Sequence, residues 1–231
     1  MTTEQTVQRP ALRSHRINQV AHSPHTKLNA LIKTHEPFKN RANFARFAVA
    51  QYLFHSEMLP LYNDPELTAI IPDLPTRCRA QAAKSDLADL ETEMPQPVPD
   101  AIKNLTKAEA LGWLFVSEGS KFGAAIMIKY AVALGLSETF GARHLADPGN
   151  SCAQDWNHFI RTLDELEFNV EAEAEVDKGV VDAFNRFVLL LDQAYTLPAD
   201  AFCLRRSATR DGETPASFAS TPSDTTPSRC L

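Results

Sequence analysis

Glycine is scarce in this chain, 8 of 231 residues, and runs of β-branched residues are rare. A β-sandwich or a Rossmann-type chain needs more glycine for its turns and phosphate loops. Basic residues are outnumbered, 23 Lys and Arg against 29 Asp and Glu, for a formal net charge of −6. A nucleic-acid partner, which demands a basic face, is therefore not expected. The four cysteines, Cys78, Cys152, Cys203 and Cys230, stand far apart and form no C-x-x-C, which excludes a zinc knuckle. No stretch approaches the ~18 consecutive apolar residues of a membrane span, and Met1 to Arg16 lacks the apolar core of a signal peptide. Together these absences predict a cytoplasmic chain with reduced thiols and no membrane partner. H-E-x-x-H, E-x-x-H, G-x-S-x-G and Walker-type loops are missing as well, so zincin, di-iron, serine-hydrolase and P-loop chemistries have no footing.

What is present is helical. Ala, Leu, Glu and Lys recur at helical spacing, and the fold class expected is all-α, an irregular helical bundle. From Leu204 onward the chain is rich in Ser, Thr, Pro, Ala and Asp with a single aromatic, Phe218. Such a segment buries too little apolar surface to offset its ordering entropy. The expected organisation is a loose N-terminus over 1–11, one domain over 12–203, and a disordered tail over 204–231.

About six helices are expected inside the domain. The first runs from about Leu12 to Thr34 with Leu28, Leu31 and Ile32 inward, and the second from Asn40 to Glu57 with Phe44, Phe47, Ala48 and Phe54 on one face. A third spans about Thr76 to Leu90, and prolines 95, 97 and 99 then break the chain. Thr106 and Glu109 form a T-x-x-E capping box that opens a fourth helix reaching about Leu134. A fifth carries Trp156, Phe159, Ile160, Leu163 and Leu166, and the last begins near Asn169.

The fourth helix holds three of the eight glycines, Gly112, Gly119 and Gly123, although an interior glycine costs about 1 kcal/mol relative to alanine. Gly119, Gly123 and Ala124 are expected to form a stripe without bulk. Either another helix packs closely there, or the helix kinks over a planar cofactor, with its backbone and Ser120 facing a small ligand. Seven histidines could supply the opposite face. His22 and His25 lie three apart on the first helix, and His25 heads the apolar stripe of Leu28 and Leu31, which makes it the better-placed ligand.

These residues resemble the bacterial haem oxygenases. The likeness covers nearly the whole ordered domain. His25-Thr26-Lys27-Leu28-Asn29-Ala30-Leu31 is similar to the family's proximal H-x-x-L-D-x-L segment, and Gly112-Trp113-Leu114 with Glu118-Gly119-Ser120-Lys121-Phe122-Gly123-Ala124-Ala125 is similar to its distal helix. Gly141-Ala142-Arg143-His144-Leu145 and the stretch from Asn43-Phe44 through Gln51 to Phe54-His55 match further.

The resemblance implies haem sandwiched between a proximal helix carrying His25 and a glycine-kinked distal helix. It implies cleavage of the ring at one meso carbon with O2 and external electrons, giving biliverdin, CO and Fe(II), for iron release or bilin supply. Haem is then substrate and cofactor together, with His25 on the metal. Gly119, Ser120 and Gly123 would be the catalytic segment, letting the backbone approach bound O2. Ser120 stands where many members carry Asp, so it anchors water without supplying a carboxylate.

The sequence also departs from that pattern. Pro24 precedes His25, so the helix is expected to kink or restart there, with Ser23 as N-cap and Pro24 at N1; His22 is then a rival ligand. Asn18 and Phe115 replace the Lys and Tyr with which some members hold the haem propionates. Phe115 remains a haem contact, and Lys33 and Lys129 become the expected propionate cations, with Arg161 behind them. That seating would rotate the ring and favour β- or δ-biliverdin. The expected partners are haem, O2 and an electron donor such as a ferredoxin or flavoprotein reductase, and the expected state is a monomer. The rival reading is a haem carrier that does not degrade its ligand. A further one, a relative of the thiamin-degrading enzymes, lacks its cysteine nucleophile.

Overall fold

Pro24 does not interrupt the first helix. In the computed structural model, which describes residues 12–147 and 151–196, α1 runs unbroken over Arg13–His35 with Pro24 inside it. The expected restart with Ser23 as N-cap is therefore corrected. Proline removes one intrahelical hydrogen bond, and Val20 loses that partner. Tertiary anchors at both ends of α1 hold the helix through this weak point.

At its start, the Arg13 guanidinium bridges Glu173 at 2.7 Å and donates to the Leu163 and Leu166 carbonyls. Ser14 donates through its backbone N–H and hydroxyl to Asp164, at 2.7 and 2.8 Å, and Arg16 pairs with Glu173 and Asp177. At its end, the His35 ring stacks on Tyr195 at 4.2 Å.

The other helices are α2 (Arg41–Tyr62), α3 (Pro65–Ile70), α4 (Ala80–Asp89), α5 (Lys107–Val132), α6 (Cys152–Glu165) and α7 (Val170–Thr196). Local chemistry sets their starts. Asn40 accepts from the Asn43 N–H at 2.8 Å, Asp64 caps α3 ahead of Pro65, and Asn169 accepts from Ala172 at 2.9 Å. The Thr106–Glu109 box forms reciprocally at the start of α5.

Two expectations are corrected in the middle of the chain. The helix expected over Thr76 to Leu90 is a 3₁₀ turn at Leu74–Arg77 followed by α4, and the six-residue α3 went unforeseen. Arg143–Leu145 is a second 3₁₀ turn. The segments assigned as a loose N-terminus (1–11) and as a tail (204–231) lie outside the described residues.

The core is built where α2 and α5 pack on α7, around Phe44, Phe47, Leu111, Leu114, Val180 and Leu191. Each large side chain buried there contributes about 1.5–3 kcal/mol. At its far end α5 is held by Arg41, whose guanidinium donates to the Leu134 and Gly135 carbonyls at 2.7 and 3.1 Å. No described helix is long and apolar enough to cross a membrane.

Candidate functional site

The glycines of α5 divide between two faces. Gly112 lies against α7: a Cβ there would stand 2.8 Å from the Val180 nitrogen, and one on Gly179 would stand 2.9 Å from the Glu109 carbonyl carbon. These two are helix–helix packing residues. Ala124 joins the core, so the expected stripe of Gly119, Gly123 and Ala124 is split by the 100° turn per residue. Gly119 and Gly123 remain half exposed on the other side.

That side of α5 faces a cleft of about 350 Å³ whose opposite wall is α1. From α1 come Asn18, Ala21, His22 and His25; from α5 come Phe115, Val116, Gly119, Ser120 and Phe122; Trp156 of α6 and Phe184 of α7 close the ends. The walls are mainly apolar and aromatic. A Cβ on Gly119 would stand 3.3 Å from the Trp156 ring, so any side chain there narrows the cleft.

His25 is oriented from two directions. Its ring meets Phe184 edge-on, with centroids 6.0 Å apart at 68°, and its Nδ1 lies 3.4 Å from the Asn29 side-chain amide one turn on. The amide nitrogen faces Nδ1 in this structure; with the amide reversed end for end, its oxygen would accept from Nδ1–H and leave the Nε2 lone pair as a donor atom. A flat aromatic group with one open coordination position suits these residues: apolar walls, one oriented imidazole, and a helix surface stripped of bulk at Gly119.

The chain's relatives agree with that fit. The family model described as heme oxygenase matches residues 12–193. The heme oxygenase PigA of Pseudomonas aeruginosa is 50% identical over 190 residues, covering 81% of this chain and 95% of that protein. The solved structure of the NO- and CO-bound heme oxygenase of Neisseria meningitidis superposes with a TM-score of 0.75 at 31% identity, covering 83% of this chain and 96% of that one. The chain belongs to the haem oxygenase family. It is an enzyme of haem degradation to biliverdin, and haem is its substrate.

The residues picked out for haem oxygenase chemistry are only partly gathered by the cleft. His25, Phe115, Gly119 and Ser120 line it together, and so does His22. Gly123 is one turn further along α5, where an added Cβ would meet only Met127, at 3.8 Å. Lys33 and Lys129 are exposed on α1 and α5, outside the cleft lining, and neither ammonium is ion-paired among the described residues. Arg161 lines a separate surface depression with Leu12 and Asn157. The Ser120 hydroxyl donates to the Ser117 carbonyl at 2.7 Å.

Behind α5, away from the cleft, lies a buried polar cluster that motif reading missed. Tyr62 donates to Glu118 at 2.7 Å and is itself within 2.8 Å of the Ser117 hydroxyl. Lys121 pairs with Glu118 at 2.7 Å, and Arg77 reaches it at 3.4 Å while pairing with Asp73. Burial drives the Tyr62 hydroxyl well above its ordinary range, assisted by the Glu118 charge. Burial also lowers the Lys121 ammonium, against the pull of Glu118. A half-polar signature, Ser117-Glu118 and Lys121 among apolar neighbours, was the available signal.

Two further imidazoles are buried on this side. Nδ1 of His144 sits 2.7 Å from Asp86 Oδ2, and burial followed by the charges of Arg79, His144 and Lys121 pushes His55 well below its usual pKa. Burial acts to raise the Asp86 pKa, and the hydrogen bonds from His144 and Arg143 outweigh it and hold the carboxyl low.

Proposed function

We propose that His25 is the proximal ligand, binding the haem iron through Nε2, and that α5 at Gly119 and Gly123 covers the opposite face of the ring. The observation that carries this reading is the meeting of His25, Phe115 and Gly119 in one apolar cleft. Bound haem supplies the iron centre at which O2 is activated with electrons from outside the protein.

The chain's own residues have defined tasks in this reading. His25 as a neutral imidazole fixes the haem by one bond, and Asn29 sets its ring orientation. Phe115 packs on the macrocycle. Gly119 admits the backbone to the reacting edge, where any side chain would press on Trp156. Ser120, its proton given to the Ser117 carbonyl, keeps oxygen lone pairs for ordered water and offers no acid of its own.

Lys33 and Lys129 hold the propionates. Both ammonium groups are exposed without ion-pair partners among the described residues, each about two turns along its helix from the cleft residues. That clamp turns the ring in its plane and presents a β or δ meso carbon, so the wild-type product is β- or δ-biliverdin. Product isomers separated by chromatography test it: Lys33→Ala and Lys129→Ala shift output toward α, whereas an α product from the wild-type chain contradicts the clamp. A ferredoxin or flavoprotein reductase supplies electrons, and the enzyme works as a cytoplasmic monomer.

A further inference from the structure

The cleft contains two histidines, and only one has a role so far. His22 and His25 lie three residues apart on a continuous α1, so their side chains are offset by about 4.5 Å along the axis and about 60° around it. Both line the same cleft, facing Phe115 and Gly119 across it. They differ in how they are held. His25 is set by Asn29 and Phe184. The residue one turn beyond His22 is Thr26, whose hydroxyl donates to the His22 carbonyl at 2.9 Å and leaves the ring alone. Among the described residues no hydrogen bond engages the His22 imidazole, so both of its nitrogens are available.

Resting on the reading of His25 above, we propose that His22 is a second axial ligand for haem iron, defining an alternative seat in the same cleft. The two imidazoles project from one wall, so they cannot bind one iron from opposite sides. Ligation is exclusive, and exchange breaks one iron–nitrogen bond as the other forms. In the His22 seat the iron is displaced by up to about 4.5 Å along α1, beyond the ~1 Å tolerance of a positioned reaction. This seat therefore holds haem without degrading it.

The test titrates hemin into the full chain as wild type, His25→Ala and His22→Ala/His25→Ala, and records ferrous and ferrous–CO visible spectra with the resonance Raman iron–nitrogen stretch. His25→Ala is expected to keep an iron–imidazole stretch and to form no bilin. The double variant is expected to lose that stretch and to bind hemin about tenfold or more weakly than His25→Ala. Identical spectra and affinities for the single and double variants overturn the second seat. Bilin formation by His25→Ala at the wild-type rate overturns instead the assignment of His25, and the two failures are distinct. Both positions are exposed, and His22→Gln/His25→Ala, which keeps more side-chain volume, gives the same comparison if the alanine pair does not fold.

Discussion

Gly112 of α5 and Gly179 of α7 pack each helix onto the other's backbone: a Cβ on Gly112 would stand 2.8 Å from the Val180 nitrogen, and one on Gly179 would stand 2.9 Å from the Glu109 carbonyl carbon. This contact fixes how deeply α5 sits, and so where Gly119 lies over the cleft. Gly112→Ala and Gly179→Ala each push backbone against backbone, and no flexible side chain can yield. Each is expected to lose about 1–3 kcal/mol in denaturant unfolding. Gly123→Ala, meeting only Met127 at 3.8 Å, is expected to stabilise the haem-free chain by about 0.4–1 kcal/mol. A destabilised Gly123→Ala would contradict the division of the α5 glycines.

Glu118 is the shared acceptor of the cluster behind α5, facing Tyr62, Lys121 and Arg77. Removing it leaves two buried cations without their common partner. Glu118→Ala is expected to cost about 3–5 kcal/mol, and Tyr62→Phe less, about 1.5–3 kcal/mol, since one hydrogen bond to the charged acceptor is lost. Equal losses in denaturant unfolding would mean that the carboxylate is not the hub.

His55 makes the fold sensitive to acid. Burial, reinforced by the charges of Arg79, His144 and Lys121, holds it neutral in the folded chain well below the usual 6.5. Under about pH 6.5 the unfolded chain therefore binds more protons than the folded one, and stability falls as the pH falls, with a slope approaching about 1.4 kcal/mol per pH unit. Denaturation midpoints measured from neutral pH downward should show this slope flattened in His55→Gln. An unchanged slope would assign the acid sensitivity to other groups.

Much of this was legible in the sequence because it rests on local chemistry. The Thr106–Glu109 box, the Asn40 and Asn169 starts and the amphipathic faces are set by residues three or four apart, and the helices form where those signals stand. Pro24 was misjudged because its local penalty, about 3 kcal/mol in a helix interior, is outweighed by contacts distant in sequence, Arg13 to Glu173 and Ser14 to Asp164. Gly119, Gly123 and Ala124 read as one stripe, and Gly112 only as a further interior glycine, because local spacing does not reveal that Gly179, 67 positions after Gly112 in the chain, lies beside it in the fold. His25, Gly119 and Ser120 were legible from the apolar stripe of α1 and the glycines of α5, and Phe115 through a segment resemblance. Trp156 and Phe184, which close the cleft, carried only the signal of core aromatics.

The most direct test of the account adds hemin to the purified chain, then ascorbate or a ferredoxin–reductase pair in air, and follows the visible spectrum beside His25→Ala. The wild-type Soret band is expected to form and then give way to the broad red absorption of biliverdin, while His25→Ala forms no bilin. A Soret band that persists in the wild-type chain under a competent reductant, with no bilin, would contradict the account and mark the protein as one that binds haem without degrading it.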